Sequence, residues 1–320
     1  MMQRIKAGFD EVSKQFVGGE RPVMRLASYA RRLRNIWVHP GNRNGRTAAL
    51  MRALAWRSHL AVRKQGPWFP LFNGLKFRTA DNSMSRSIVY CSPWFEYDEM
   101  MFVASYLRRG DAVLDVGANA GVYSLLAASL VGPEGHVDAV EPIAETARRL
   151  RENIQENQLA DRIQVHAVAV GEAAGVVHMI ASQDTTNHVV GADAGSPVSC
   201  VRLDSLMGSR AYAFGKMDVE GMELPALKGA SARLDTGDPA IWMIEVNGAL
   251  FRYGFTVAEL IEWVDSKGYD VATYNHARRT MTVTKAPWGN VFLVKRDAWN
   301  AIKARVPELN TIVAADPGSS

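Results

Sequence analysis

The sequence predicts an α/β fold: a mostly parallel sheet with an antiparallel last strand, preceded by a helical extension. Three observations carry that expectation. From Ala112 onward, short apolar runs of strand character alternate with helical segments, which demands crossover connections and a parallel sheet covered on both faces. The final two runs, Asp270–Tyr274 and Val291–Lys295, have no helical pattern between them, so they are expected to pair antiparallel. Ahead of the alternation, residues 20–64 carry apolar positions at helical spacing.

The elements follow in order. Val23, Leu26, Leu33, Ile36 and Trp37 mark a helix over Glu20–Trp37, and Leu50, Met51, Leu54 and Val62 mark another over Arg46–Lys64. The breaker cluster His39-Pro-Gly-Asn-Arg-Asn-Gly45 separates them. Short strands are expected at Leu75–Arg78 and Ser87–Tyr90, flanking the Asp81-Asn-Ser turn, and a helix over Trp94–Leu107. The alternation then reads strand Ala112–Val116, helix Val122–Leu130, strand His136–Val140, helix Ala144–Asn157 and strand Ile163–Val170. After an interruption come strand Phe214–Val219, a helix near Leu224–Leu234, strand Ile241–Val246 and helix Val257–Lys267. These divide the chain into a basic helical extension, 1–70, a principal domain, 71–310, and a tail, 311–320, expected to be disordered.

Composition narrows the class. With 320 residues, 48% hydrophobic and 22% charged, the chain has a globular balance. No apolar run approaches the roughly 18 residues of a membrane span, and the N-terminus lacks a secretory signal pattern. Cys91 and Cys200 are the two cysteines, with no metal or disulfide spacing, so a reducing, cytoplasmic setting is expected. The net charge of +4 is uneven: residues 1–78 hold twelve Arg and four Lys against Asp10, Glu11 and Glu20. That basic arm suggests an anionic partner: a phosphorylated substrate, a nucleic acid or a membrane surface touched peripherally.

The sharpest local feature is Val113-Leu-Asp-Val-Gly-Ala-Asn-Ala-Gly121, a buried strand running into a glycine turn and a helix. Gly117 permits a tight turn beneath a ligand, and Gly121 a close approach at the helix start. Such turns occur in many nucleotide sites. Here Glu141 ends the next strand, where its carboxylate can accept hydrogen bonds from ribose hydroxyls. The turn lacks the second close glycine of a dinucleotide site, and Asp115 puts negative charge where a pyrophosphate would lie. A carboxylate there suits the amino group of a methionine moiety.

With these residues in view, the chain resembles the FkbM family of methyltransferases. The likeness rests on Gly110–Gly121, Val140-Glu-Pro142, Asn157, Leu203-Asp-Ser-Leu206, Lys216-Met-Asp-Val-Glu-Gly-Met-Glu223 and Leu227-Lys-Gly229. It covers roughly residues 90–245; the basic arm falls outside it. The resemblance implies a Rossmann-like class I methyltransferase fold, a seven-stranded sheet whose last strand is antiparallel. It also implies S-adenosylmethionine as cofactor and O-methylation of a hydroxyl on a sugar, glycan or related polyhydroxylated metabolite. Cofactor contacts are expected at Asp115, Gly117, Ala118, Asn119, Gly121, Glu141, Pro142, Ala169 and Asp218.

Methyl transfer to a hydroxyl needs the acceptor aligned and its proton removed. Asp218 ends the strand beside the sheet's topological switch, and Lys216, two residues earlier, shares its face. Catalytic candidates are therefore Asp218, Lys216, Glu220, Glu245 and His188, the last in the polar loop Asp184-Thr-Thr-Asn-His188. Lys216–Asp218 also reads as a structural ion pair. Asp218, Glu245 and Asn247 offer oxygen ligands that Mg²⁺ would accept. Trp94, Phe95 and Tyr97 are candidates to roof the site, and Ser92-Pro-Trp94 reads as a structural turn. The acceptor is expected to be a small molecule or glycan, anionic or lipid-linked. RNA held by the basic arm is the alternative acceptor, disfavoured because the arm lacks a recognised binding module. Two further readings are a non-enzymatic docking protein with a vestigial site and a dinucleotide oxidoreductase.

Overall fold

A computed structural model describes residues 33–63, 65–180, 188–191, 194–309 and 311–314. The expected helix Glu20–Trp37 therefore lies largely outside the described residues, although residues 33–38 are helical. The second expected helix is α1 (Arg46–Val62). A small antiparallel pair follows, β1 (Trp68–Pro70) with β2 (Lys76–Arg78), and then α2 (Ser83–Cys91) and α3 (Tyr97–Tyr106).

The alternating region gives β3 (Ala112–Val116), α4 (Val122–Val131), β4 (His136–Val140), α5 (Ala144–Glu156) and β5 (Ile163–His166). A separate excursion holds β6 (Ala169–Val170), β7 (Gly175–Ile180), β8 (His188–Val190) and β9 (Ser196–Val201). The chain resumes with α6 (Leu203–Met207), β10 (Phe214–Met217), α7 (Glu223–Lys228), α8 (Ser231–Thr236), β11 (Ile241–Val246) and α9 (Val257–Ser266). It ends with β12 (Tyr269–Asn275), β13 (Thr280–Val283), β14 (Gly289–Lys295), α10 (Trp299–Arg305) and β15 (Thr311–Ala314).

The main sheet runs β15-β13-β12-β14-β11-β10-β3-β4-β5. Its seven strands from β12 to β5 form the Rossmann-like sheet anticipated from the sequence. β5, β4, β3, β10 and β11 are mutually parallel, and β14 inserts antiparallel between β11 and β12. Side-chain alternation splits the core in two. Val113, Val137, Ala139, Phe214 and Met243 face α3, α4 and α5, whereas Leu114, Val116, Val140, Met217 and Ile244 face α7, α8 and α9. α4 is buried almost all round, as expected of a helix apolar on every face.

Four expectations are corrected. Ser87–Tyr90 is helical, within α2, because the Asn82 side chain accepts a hydrogen bond from Ser85 N at 2.9 Å and caps that helix. The strand opposite β2 is β1 instead. The single strand Ile163–Val170 divides, since β5 belongs to the main sheet and β6 to a four-stranded sheet ordered β6-β9-β7-β8. The helix near Leu224–Leu234 is two helices broken around Gly229, where a Cβ would stand 2.1 Å from the Gly171 carbonyl oxygen. Within the expected tail, Thr311–Ala314 runs as β15 parallel to β13; the rest of that tail lies outside the described residues.

Asn153 of α5 and Asn157, its C-terminal cap, fasten β2 to that helix. Asn153, fully buried, donates to Ala120 O at 2.8 Å and accepts from Arg78 N at 2.8 Å. One helical turn on, Asn157 accepts from Lys76 N at 2.8 Å and donates to Lys76 O at 2.7 Å. Asn153 therefore ties the glycine turn, α5 and β2 into one unit. Replacing Asn153 with Ala leaves two buried backbone groups unpaired and is expected to cost about 2–3 kcal/mol, read as a lower denaturant midpoint at unchanged m-value.

Candidate active site

A cavity of about 290 Å³ opens at the C-terminal ends of β3, β4, β10 and β11, the edge at which open α/β sheets bind ligands. Its floor is the glycine turn. Gly117 has φ +77°, and a Cβ there would sit 1.8 Å from the Asp218 carbonyl oxygen. Gly117 is thus required by the neighbouring strand's backbone, whatever the cavity holds. Gly121 has φ +97°, and a Cβ there would sit 2.3 Å from Leu150 Cδ1; it lets α5 close on the turn. Gly121 is not among the residues lining the cavity.

Glu141 is buried, with both carboxylate oxygens engaged: Oε2 accepts from Asn119 N at 3.0 Å and Oε1 from Ile143 N at 2.9 Å. Burial pushes its carboxyl up to about 7, against the opposing pull of those two amides. These bonds fix the carboxylate at the cavity wall with lone pairs left for a ligand's hydroxyls. Asn119 adopts φ +49°, and its own Oδ1 accepts from Ala120 N at 2.7 Å, a local bond that helps asparagine tolerate the left-handed region.

The back wall is an ion cluster. Asp115 on β3 and Lys216 on β10 are direct cross-strand partners. Asp115 is 1% exposed; Oδ2 accepts from Ser124 Oγ at 2.6 Å, while Oδ1 has no hydrogen-bond partner and stands 4.0 Å from Lys216 Nζ. Lys216 Nζ donates to Asp218 Oδ2 at 3.3 Å and lies 5.3 Å from the centre of the Tyr123 ring. Burial alone would lower the Lys216 ammonium, but Asp218, Asp115 and Glu96 together raise it, so the lysine stays charged. Burial raises the Asp115 carboxyl, against Lys216 and Ser124.

Glu96, just ahead of α3, was missed from the sequence. It accepts from Tyr123 OH at 2.5 Å and lines the cavity facing the lysine. Burial raises its carboxyl, against Tyr123 and Lys216. No motif marks it; only the packing of α3 on α4 brings it here.

The mouth is acidic as well. Asp218, Glu220 and Glu245 all line it. Burial, then Asp218 and Glu245, push the Glu220 carboxyl up to about 8, and burial followed by Asp218 raises Glu245. Glu220 has φ +54° and Gly221 φ +102°, a turn held by Glu223, whose Oε1 accepts from Val219 N and Gly221 N at 3.1 and 3.2 Å. Glu223 is buried in that backbone role and does not line the cavity. The remaining wall comes from Ala169 and its neighbours, Met179 and Val189 of the small sheet, and Ser83, Met84 and Ser87 of α2.

The structure thus gathers Asp115, Gly117, Ala118, Asn119, Glu141, Pro142, Ala169, Lys216, Asp218, Glu220 and Glu245 around one cavity, and leaves out Gly121, His188, Asn247, Trp94 and Tyr97. His188 pairs with Ile180 while the next pair, Val189 with Met179, faces the cavity; alternation turns His188 to the other side. Most of the loop expected to carry it lies outside the described residues. Asn247 spends its side-chain oxygen on Ala249 N at 2.7 Å, and no group of three or more His, Cys, Asp or Glu among the described residues could hold a metal. Of the aromatic trio, Phe95 lines the cavity, Trp94 packs on Phe72 and Tyr97 packs edge-on to His276.

Residues 115–271 match the sequence model of the methyltransferase FkbM domain. The chain carries an FkbM domain of the S-adenosylmethionine-dependent methyltransferases. A protein-L-isoaspartate O-methyltransferase of Ignicoccus hospitalis is 51% identical over 55 residues, 17% of this chain and 26% of that protein. An arsenite methyltransferase of Halobacterium salinarum is 33% identical over 84 residues, 26% of this chain and 20% of that protein. This chain therefore spans about a quarter or less of the length of those relatives. Among solved structures, a methyltransferase FkbM from Methylobacillus flagellatus superposes with a TM-score of 0.43 at 20% identity, covering 64% of this chain and 51% of that one.

The carboxyls in and around the cavity have a pH signature. Glu99 and Glu223 are, like Glu141, pushed up to about 7, and Glu220 to about 8, burial being the leading cause in each. A carboxyl raised in the folded state binds its proton more tightly there than when unfolded. Its contribution is present below the unfolded value of 4.5 and is lost as pH rises through 7–8. The ligand-free protein is expected to lose thermal stability between about pH 5.5 and about pH 8.5, less steeply in Glu220→Gln.

Proposed function

We propose that the protein transfers the methyl group of S-adenosylmethionine to a hydroxyl of a sugar, glycan or related polyhydroxylated metabolite. The observation that carries the reading is the charge of the cavity. Asp115, Glu141, Glu96, Asp218, Glu220 and Glu245 surround it, with Lys216 as the one cation among the described residues lining it. That surface favours a cationic, hydroxyl-bearing ligand and repels a diphosphate or an RNA backbone. The unpartnered Oδ1 of buried Asp115 fits the donor's ammonium, and Glu141 fits its ribose hydroxyls. S-adenosylmethionine, when bound, supplies a methyl carbon already activated by its sulfonium.

This chain's residues then have two tasks. The first is alignment: the glycine turn, Glu141 and the small sheet's Met179 and Val189 restrict where the donor lies. The second is the acceptor proton. Asp218 has a partly exposed side chain, 36% accessible, and its Oδ2 is held by Lys216. Asp218 would take up the acceptor hydroxyl's proton when the methyl group passes from the donor's sulfur to that oxygen. Glu220 and Glu245 flank Asp218, and Glu220, pushed up to about 8, is matched to taking up a proton near neutral pH. Lys216 is a positioning residue, holding Asp218 at the strand end.

The test is methyl turnover against oligosaccharides and lipid-linked sugars, with nucleotide-sugars as the diphosphate-bearing comparison, with and without Mg²⁺. Asp218→Ala and Asp218→Asn are expected to abolish turnover, a loss of roughly 10²–10⁴-fold, while donor affinity changes little. Glu141→Ala is expected to weaken donor binding. Unchanged turnover in the Asp218 variants and unchanged affinity in Glu141→Ala would reject the assignment.

A further inference from the structure

The FkbM domain leaves one part of the molecule unexplained. Residues 21–80 contain eleven arginines, two lysines and no aspartate or glutamate. Among the described residues, six of the nine large hydrophobics left exposed also fall there: Leu33, Trp37, Val38, Met51, Leu54 and Val62.

On α1 these two properties have a geometry. Ala49, Ala53 and Trp56 form the face buried against the body. At 100° per residue, the opposite face carries Met51, Leu54, Ala55, Ser58 and Val62, all exposed and none charged. The exposed Arg46 and Arg57 stand on one margin of that face, and the exposed Arg63 follows the last helical residue in extended backbone. Trp37 extends the patch, with the Arg46 guanidinium 5.4 Å from its ring centre. An apolar strip with arginines along one edge and at its end, and with no acid, is the pattern of a helix lying in the lipid headgroup layer, where arginine stems follow the apolar side and their charges meet phosphates.

We propose that this face of α1, together with Trp37, docks the protein on an anionic phospholipid surface. Exposed aliphatic side chains have no use in gripping RNA, which calls for aromatic platforms. A second copy would set two acid-free cationic faces against each other. No helix among the described residues is long and apolar enough to cross a membrane, so α1 lies on the surface and does not span it. The contact also reaches the cavity. Arg52 Nε donates to Val89 O at 2.8 Å, joining α1 to α2, and α2 supplies Ser83, Met84 and Ser87 to the cavity wall. A chain docked through α1 therefore holds that wall next to lipid.

The test is co-flotation of the full chain with vesicles of phosphatidylcholine alone or enriched in phosphatidylserine. Binding is expected to the serine-rich vesicles and to weaken as salt rises. The exposed-site variant Met51→Glu/Leu54→Glu/Val62→Glu should lower it by roughly tenfold or more while S-adenosylhomocysteine affinity and melting temperature are retained. Arg46→Gln/Arg57→Gln should weaken binding and flatten its salt dependence. Absence of binding to serine-rich vesicles overturns the proposal, as does binding that the triple variant leaves unchanged. So would an oligomer, seen by sedimentation velocity, that the triple variant dissociates, because the face would then be an interface between copies. None of these readouts depends on which acceptor is methylated.

Discussion

Lys216 is the constraint around which the cavity is arranged. A buried ammonium is tolerated only when carboxylates meet it, and its cross-strand partner Asp115, its strand neighbour Asp218 and Glu96 ahead of α3 all do so. The reverse also holds, since those carboxylates could not remain together in a buried wall without the lysine between them. This mutual dependence fixes the ends of β3 and β10 and the start of α3 relative to one another. The glycine turn reinforces it from below: Gly117 comes so close to the Asp218 carbonyl that no side chain fits between.

One charge distribution accounts for both what the cavity accepts and what it refuses. Acids at Asp115, Glu141 and Glu96 make its depth inhospitable to phosphates, while Asp218, Glu220 and Glu245 place further carboxylates at its mouth. The acidic cavity and the acid-free α1 both meet α2, the cavity through Ser83, Met84 and Ser87 and α1 through the bond from Arg52 to the Val89 carbonyl.

Much of the fold was legible because buried parallel strands are short apolar runs bounded by breakers. Ala112–Val116, His136–Val140 and Ile241–Val246 were readable to the residue for that reason. Legibility failed where local chemistry was ambiguous. Ser87-Ile-Val-Tyr90 has strand-like residues, yet the Asn82 cap and the packing against α1 make it a helix. The break between β5 and β6 was hidden because both halves are apolar, and they differ only in which sheet they join. Within the site, residues at strand ends were found because strand order predicts where they converge. Glu96 was not, since it reaches the cavity through helix packing alone. His188 was misjudged because its side of a strand is decided by register, which the sequence around it does not state. Asn153, read only as a helix position, is a buried link among three elements.

The central claim is that this cavity receives an amino-acid-bearing nucleoside and refuses a dinucleotide. Titration calorimetry with S-adenosylmethionine, S-adenosylhomocysteine and a nicotinamide dinucleotide tests it most directly. Binding of both adenosyl compounds, weakened in Asp115→Asn as the partner for the ammonium is lost, with no heat from the dinucleotide, is the predicted result. Binding of the dinucleotide, or silence from both adenosyl compounds with the folded protein, would contradict it.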